Sequence, residues 1–567
     1  MAEHRRQDFP DPGGRRRRAA RASIAALVVV AAVVLGLTVW PGGDHGKDKD
    51  GSGAASSADA LTVSPTPAAS YPVAKPPRTI PSVRDFEAAR GPGWKPAKSG
   101  RVLAGDDALA DEAKLLAGEL GMTYGGDADP RRGDVWLGLD KDAKDDGGDG
   151  GQSGDGGQGG DGGQGGDEAY TLRVAAGQAR ITAAGRDGVW WGTRTLKQAV
   201  RADGTAPEGT VRDRPAKPQR GFMLDIARKW YDEAWIKARI AEIADLKYNQ
   251  FGLHFSDDQA FRVESSSHPE IVSAQHLTKA QVRSIVSYAA ARHVTVVPEI
   301  DSPGHLGTVI KAHPKLQLRD AAGKPVEGAV DIGNPESARI VDDLLKEYAS
   351  LFPGRWWHLG ADEYQALVRS DPEASFPGLA ALARKRYGAK GRVQDLAEAW
   401  LNDRAKTVRD AREGRIARAW NDGFFAEGQA VADRKVEVVY WTGKELGARP
   451  PAAYLAEGRQ VLNYNDEFLY YVLGQPNTFT YPTGQRIYES WTPRVLRGTS
   501  AVPASYDHLI EGGGFAVWGD FPNAQTQDQV ATGIRMPLRA LSEKLWPRAA
   551  KPSRSWTDFQ ALSRAIG

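Results

Sequence analysis

The sequence predicts an α/β protein built on a (β/α)8 TIM barrel, preceded by a small α+β domain and an N-terminal transmembrane segment. Three observations carry this prediction. After residue 220, β-rich apolar runs recur eight times with helical patterns between several of them, which suits a closed parallel barrel better than an open doubly wound sheet. Polar and aromatic residues gather at the ends of those runs, where barrel sites lie. Near the start of the chain, four consecutive arginines, Arg15 to Arg18, precede an almost unbroken apolar stretch over residues 22–40.

Residues 1–21 read as a basic cytoplasmic tail and residues 22–40 as a membrane anchor or export signal. At about 1.5 Å of rise per helical residue, that stretch nearly crosses a hydrocarbon core of about 30 Å. The arginines stay inside, which sends the body of the chain outside. Two outcomes are open: an uncleaved anchor, giving a single-pass cell-membrane protein, or a cleaved signal, giving a secreted one. Residues 41–77, rich in Gly, Ser, Ala, Pro and charge, read as a flexible linker.

Residues 78–215 read as the α+β domain. Asp134–Leu139 suits a strand, segments from Tyr170 and Ala179 alternate as paired strands, and Trp190 to Ala199 suits a helix. A Gly/Asp/Gln tract over 145–167 interrupts the domain and reads as a disordered acidic loop. It lacks the nine-residue spacing and apolar position of a calcium-binding repeat. The barrel is assigned to residues 216–548, with strands at Gly221–Ala227, Tyr248–Ser256, Val294–Asp301, Trp356–Glu363, Arg415–Asp422, Val436–Gly443, Arg459–Asp466 and Gly513–Asp520. Residues 549–567 are assigned as a C-terminal tail.

Composition narrows the function. Basic and acidic residues nearly balance, giving a net charge of +2, so no global charge argues for a nucleic-acid partner. The absence of cysteine excludes disulfides, thiolate metal sites and a cysteine nucleophile.

The strongest local signal is Trp357-His-Leu-Gly-Ala-Asp362-Glu363-Tyr364. Two adjacent acids close the fourth strand, where the backbone is free to bend both toward one pocket. In a two-carboxylate glycosidase the acids must straddle the scissile bond, about 5–5.5 Å apart for retention or 6.5–9.5 Å for inversion. Chain neighbours are better suited to another division of labour. One acid protonates the leaving oxygen, while the other stabilises charge on a nucleophile that the substrate itself supplies. A 2-acetamido group is such a nucleophile.

Five segments occur in order: Arg220-Gly-Phe-Met-Leu-Asp-Ile-Ala-Arg228, His254-Phe-Ser-Asp-Asp-Gln259, Pro298-Glu-Ile-Asp-Ser-Pro-Gly-His305, His358-Leu-Gly-Ala-Asp-Glu363 and Trp518-Gly-Asp520. Together they resemble glycoside hydrolase family 20, the β-N-acetylhexosaminidases. Gly188-Val-Trp-Trp-Gly-Thr-Arg-Thr-Leu196 is similar to that family's small N-terminal domain. The resemblance implies a retaining hydrolase that removes terminal β-linked N-acetylhexosamine (GlcNAc or GalNAc) from an oligosaccharide or glycoconjugate, with no cofactor or metal. It implies Glu363 as general acid and then base, and Asp362 as the group that orients and stabilises the acetamido function. It assigns Arg220 to the sugar hydroxyls, and Asp257 with His305 to a polar relay toward Glu363, with Asp258 as the alternative acid. Trp420, Trp441 and Trp518 would wall the pocket. His254 and His358 read as packing or supporting residues.

Two departures from the family pattern stand out. In Asn463-Tyr-Asn-Asp-Glu-Phe-Leu-Tyr-Tyr471, Phe468 falls where the family's acetamido-binding tyrosine is expected. Tyr470 is taken as the hydroxyl donor ahead of Tyr464. Asp520 stands where exo-acting members have Glu, one methylene longer, and the segment 475–512 before the last strand is long enough to add or close a subsite. Release of a disaccharide, as by lacto-N-biosidases of the same family, is therefore the alternative. A catalytically silent glycan-binding barrel and a metal-dependent amidohydrolase are the other classes. The paired acids count against the first, and the lack of HxH on the first strand and of HExxH anywhere counts against the second.

Overall fold

In the computed structural model the described residues are 71–140, 167–426, 428–446, 448–474, 481–547 and 551–567. The expected membrane segment, most of the linker and nearly all of the Gly/Asp/Gln tract lie outside them. Among the described residues no helix is long and apolar enough to cross a membrane.

The first part of the chain folds into a seven-stranded sheet within residues 85–213. Tyr170–Ala175 and Gln178–Ala183 pair antiparallel as a hairpin. The helix Arg186–Asp203 lies on the sheet, burying Val189, Trp190, Trp191 and Leu196.

The second part is a closed barrel of eight parallel strands: β1 Gln219–Asp225, β2 Gln250–His254, β3 Thr295–Glu299, β4 Trp356–His358, β5 Ile416–Trp420, β6 Glu437–Tyr440, β7 Val461–Asn463 and β8 Ile510–Trp518. Each pairs with the next, and β8 pairs with β1 to close the ring. All eight expected strands are present, mostly shorter than the apolar runs that announced them. The residues beyond each strand end turn outward into the loops that build the site. An additional short strand, Tyr470–Val472, adds to β8 in parallel beside the barrel mouth.

The expected C-terminal tail is instead helical over Trp556–Ile566. Phe559, Leu562 and Ile566 recur at helical spacing and are buried. The helix packs on Arg186–Asp203 of the first domain, and the Arg539 guanidinium donates to Ser563. The apolar face, with an N-cap from Ser555 to Asp558 N, explains why this end is ordered.

A buried polar seam joins the two parts. Lys247 donates to Asp213 Oδ2 (3.0 Å) and to the Tyr170 hydroxyl (2.9 Å), and Trp546 Nε1 donates to the same Asp213 oxygen (2.9 Å). Arg220 belongs to this seam. Its guanidinium clasps Glu168 through two bonds of 2.5 and 3.1 Å, and its Nε donates to Lys247 O.

Candidate active site

The site lies at the C-terminal end of the barrel, in a cleft lined by Arg228, His305, Asp362, Glu363, Trp441, Tyr470, Val472, Trp518 and Asp520. Its volume is about 470 Å³ including open solvent, within the range of small-ligand sites.

The adjacent acids are presented by an unusual backbone. Gly360, Ala361 and Glu363 all have positive φ, at 66°, 78° and 47°. A Cβ on Gly360 would lie 1.7 Å from Asp301 Oδ1, so only glycine lets the β4 end pass so close to the β3 end. Non-glycine residues in this region carry strain that persists where surrounding contacts enforce it. Here those contacts are Asp301 Oδ1 accepting from Ala361 N (3.0 Å) and Asp422 Oδ2 accepting from Glu363 N (2.9 Å). This turn brings both acids to one cleft, which a regular strand would not do.

Asp257 lies among three basic partners. Its Oδ1 lies 3.2 Å from His305 Nδ1, and its Oδ2 meets His254 Nε2 and Arg228 at 2.8 Å each. His305 Nε2 faces Oδ2 of Asp362 and Oε2 of Glu363, both at 3.6 Å. Burial alone would raise the Asp257 carboxyl, but His305, His254 and Arg228 hold it well below the usual carboxylate range. Burial likewise opposes charge on His305, yet Asp257 and Asp362 push it up to about 10. Glu363 is raised by burial and lowered in part by His305. Asp258 Oδ1 accepts from Gly307 N, and of the two acids it is Asp257 that bonds His305.

Beneath Asp362 lies Asp301. Burial raises both carboxyls; Glu299 raises Asp301 further while its bond with Asp362 lowers it, and Asp301 raises Asp362, so the two compete for a proton. Asp301 is the deeper partner, and Asp362 faces His305. Glu299 lies lower still, between His254 Nδ1 (3.1 Å) and His358 Nδ1 (3.2 Å), and accepts from Trp420 Nε1 (2.9 Å). His254 and His358 thus lie beneath the cleft, each against Glu299.

The aromatic residues divide into two layers. Trp441, Tyr470 and Trp518 face the cleft, with Tyr470 stacked on Trp441 at 5.6 Å and 9°. Trp441 is fixed by its Nε1 donating to Asp422 Oδ1 (2.9 Å). Trp420 does not line the open cleft. It is 1% exposed and packs beneath against His358 and Trp518, because its bond to Glu299 draws the indole into the barrel. Tyr464 is deeper too, against Trp420, which leaves Tyr470 as the tyrosine at the cleft.

Arg220 is the clear correction. It sits at the opposite end of β1, 2% exposed and clasped by Glu168. A seven-residue strand spans about 20 Å, so Arg220 cannot reach a sugar in the cleft. The arginine that lines it is Arg228, the last residue of the same motif. Arg228 contacts Asp225 (3.2 Å) and Asp257 (2.8 Å) and lies over the Trp518 ring at 5.4 Å. Asp225 in turn accepts from Gly519 N (3.0 Å), tying the β1 end to the turn that carries Asp520. Strand direction alone distinguishes the two arginines, since Arg220 precedes the apolar run and Arg228 follows it. Asp301 and Asp422 were visible only as acids at or near strand ends.

A parallel barrel with paired acids in an aromatic-walled, proton-tuned cleft has the make-up of a carbohydrate hydrolase. The chain belongs to glycosyl hydrolase family 20: the family's catalytic-domain model matches residues 218–549, and its domain 2 model matches residues 76–214. A lacto-N-biosidase of Bifidobacterium bifidum is 27% identical over 497 residues, 87% of this chain and 42% of that protein. The β-hexosaminidase subunit beta of Mus musculus is 27% identical over 404 residues, covering 69% of each chain. The chain spans less than half the length of the lacto-N-biosidase. Among solved structures, an exo β-N-acetylglucosaminidase from Vibrio harveyi superposes with a TM-score of 0.67 at 20% identity, covering 88% of this chain and 78% of that one. A β-N-acetylhexosaminidase from Streptomyces coelicolor A3(2) gives 0.64 at 23% identity, covering 87% and 97%. These superpositions establish the shared fold.

Proposed function

We propose that this protein is a retaining β-N-acetylhexosaminidase acting through the substrate's own 2-acetamido group. The observation that carries the reading is the placement of Asp362 and Glu363 in one cleft, with His305 3.6 Å from both. Glu363 donates its proton to the glycosidic oxygen as the acetamido carbonyl oxygen attacks C1 from the opposite face. The aglycone leaves as an alcohol, and a bicyclic oxazolinium forms. Asp362 accepts the amide N–H and stabilises the charge spreading onto nitrogen. Glu363, now a carboxylate, takes a proton from water; the oxygen attacks C1, reopens the ring and yields the β-hemiacetal. Two inversions give net retention.

Arg228 and Asp520 are suited to the outer hydroxyls of the sugar, Trp518 and Trp441 to its apolar surfaces, and Tyr470 to the acetamido oxygen. A second reading, release of a disaccharide, is favoured by Asp520. A shorter acid at this position leaves room for a further sugar, and Phe521 beside it is 56% exposed at the rim. Export through the N-terminal apolar segment, with the barrel outside the cell, belongs to the same proposal.

The test is hydrolysis of chromogenic β-GlcNAc, β-GalNAc and Gal-β-1,3-GlcNAc glycosides, with Glu363→Gln as control. Turnover of the monosaccharides supports exo-hexosaminidase action. Turnover of the disaccharide glycoside alone supports the second reading. No turnover of any of them contradicts both.

A further inference from the structure

Away from the cleft, two loops meet at a cluster the reaction does not use. His268 belongs to the loop after β2, and His313 to the loop after β3. Each directly precedes a proline that opens a short 3-10 turn, and their backbones nearly coincide, with φ, ψ of −137°, 63° and −128°, 71°. A residue before proline has few allowed conformations, so both imidazoles are held on stiff supports. Glu270 stands between them: its Oε1 lies 3.0 Å from His268 Nδ1 and 2.9 Å from His313 Nε2. The three ligand atoms lie within 4.8 Å of one another.

The far side of His268 carries the second observation. Its Nε2 lies 3.4 Å from Asp343 Oδ2, an oxygen that also accepts from Arg339 at 2.8 Å. The His268 side chain is buried, so water does not readily take a partner's place. A neutral imidazole has one N–H, yet both nitrogens of His268 face a carboxylate oxygen. Either a second ring proton or a cation on Nδ1 resolves the conflict, and with a cation there the N–H stays on Nε2 to donate to Asp343. This carboxylate–histidine–metal arrangement is the usual way a ligating histidine is oriented.

We propose that His268 Nδ1, Glu270 Oε1 and His313 Nε2 bind a zinc ion that clips the two loops together. Two imidazoles and a carboxylate suit zinc, and tetrahedral ligands about 2.0–2.1 Å from the metal lie about 3.3 Å apart. The two nitrogens therefore need to move from Glu270 by only a few tenths of an ångström. Glu270 and His313 are 40% and 32% exposed, which gives the ion a path in and leaves a position for water. The same loops carry Asp257 and His305, so the clip would stiffen the supports of the catalytic relay without touching substrate.

The full-length protein, stripped with EDTA and desalted, is titrated with zinc chloride by calorimetry alongside His313→Ala and Glu270→Gln. Both changes lie at partly exposed side chains, and far-UV circular dichroism of the metal-free proteins checks their folding. The proposal expects one zinc per chain at micromolar affinity or tighter, weakened at least tenfold in each variant. It also expects a Tm that rises with zinc in the wild type but much less in His313→Ala. Cobalt(II) in place of zinc should give visible absorption of tetrahedral intensity. No stoichiometric binding, or binding unchanged in both folded variants, overturns the site; unchanged binding would place the ion instead on the acids and His305 of the cleft.

Discussion

His305 Nε2 stands 3.6 Å from Glu363 Oε2 while its other ring nitrogen lies against Asp257. A cation supported from behind thus faces the proposed proton donor. Replacing Glu363 by Gln should lower kcat on natural glycosides by about 10²–10⁴-fold, the usual contribution of a general acid–base. The loss should be smaller for aryl glycosides whose leaving group needs little protonation. Equal losses on both substrate types would assign Glu363 another role.

The His305 charge has a pH signature. Glu363 must be protonated to act as acid, so kcat/KM falls as pH rises through its pKa. His305 lowers that pKa, so His305→Gln should move the falling limb to higher pH while reducing the maximum. Comparing the two pH–rate profiles checks this; a limb that stays in place removes His305 from the relay.

Stability should carry the same imprint. Asp257 and Asp362 raise His305 to about 10, above the ordinary value of about 6.5. Its contribution to folding is fully present below about 6.5 and is lost as pH rises through about 10. The Tm difference between wild type and His305→Gln should therefore shrink from pH 6.5 to pH 10. A difference that grows over this range would contradict the assigned charge.

The two arginines separate cleanly. Arg228→Ala should reduce kcat/KM by more than tenfold, because its side chain reaches the cleft, and should also lower Tm, because the buried Asp225 and Asp257 lose their shared partner. Arg220→Ala leaves Glu168 buried without its partner, and breaking a buried pair costs about 3–5 kcal/mol. It should lower Tm strongly, while the folded fraction keeps its KM. Kinetics and thermal melts on both variants decide between the ends of β1.

These contrasts show what a linear sequence conveys. The eight strands were legible because apolar runs and helical patterns alternate. The cleft's acids and its histidine were legible because Asp362, Glu363, Asp257 and His305 sit in dense ordered motifs. The two arginines were harder to tell apart, since one motif spans the full height of the barrel and only strand direction says which end faces the sugar. Trp420 looked like its fellow tryptophans until its N–H found Glu299 one layer down. The C-terminal helix was missed because its apolar residues are few and gain their partners from the distant helix Arg186–Asp203.

Asp362 is the decisive residue, since participation of the acetamido group is what sets the proposed mechanism apart from a two-carboxylate displacement. The most direct measurement follows hydrolysis of an aryl 2-acetamido-2-deoxy-β-glycoside, mono- or disaccharide according to the pocket, by proton NMR. Inhibition by the thiazoline analogue of the bicyclic intermediate is measured in parallel, with Asp362→Asn for comparison. The β-anomer should appear first, the thiazoline should compete with substrate, and Asp362→Asn should lose both turnover and tight thiazoline binding. An α-anomer formed first, or a wild-type enzyme indifferent to the thiazoline, would contradict participation of the acetamido group.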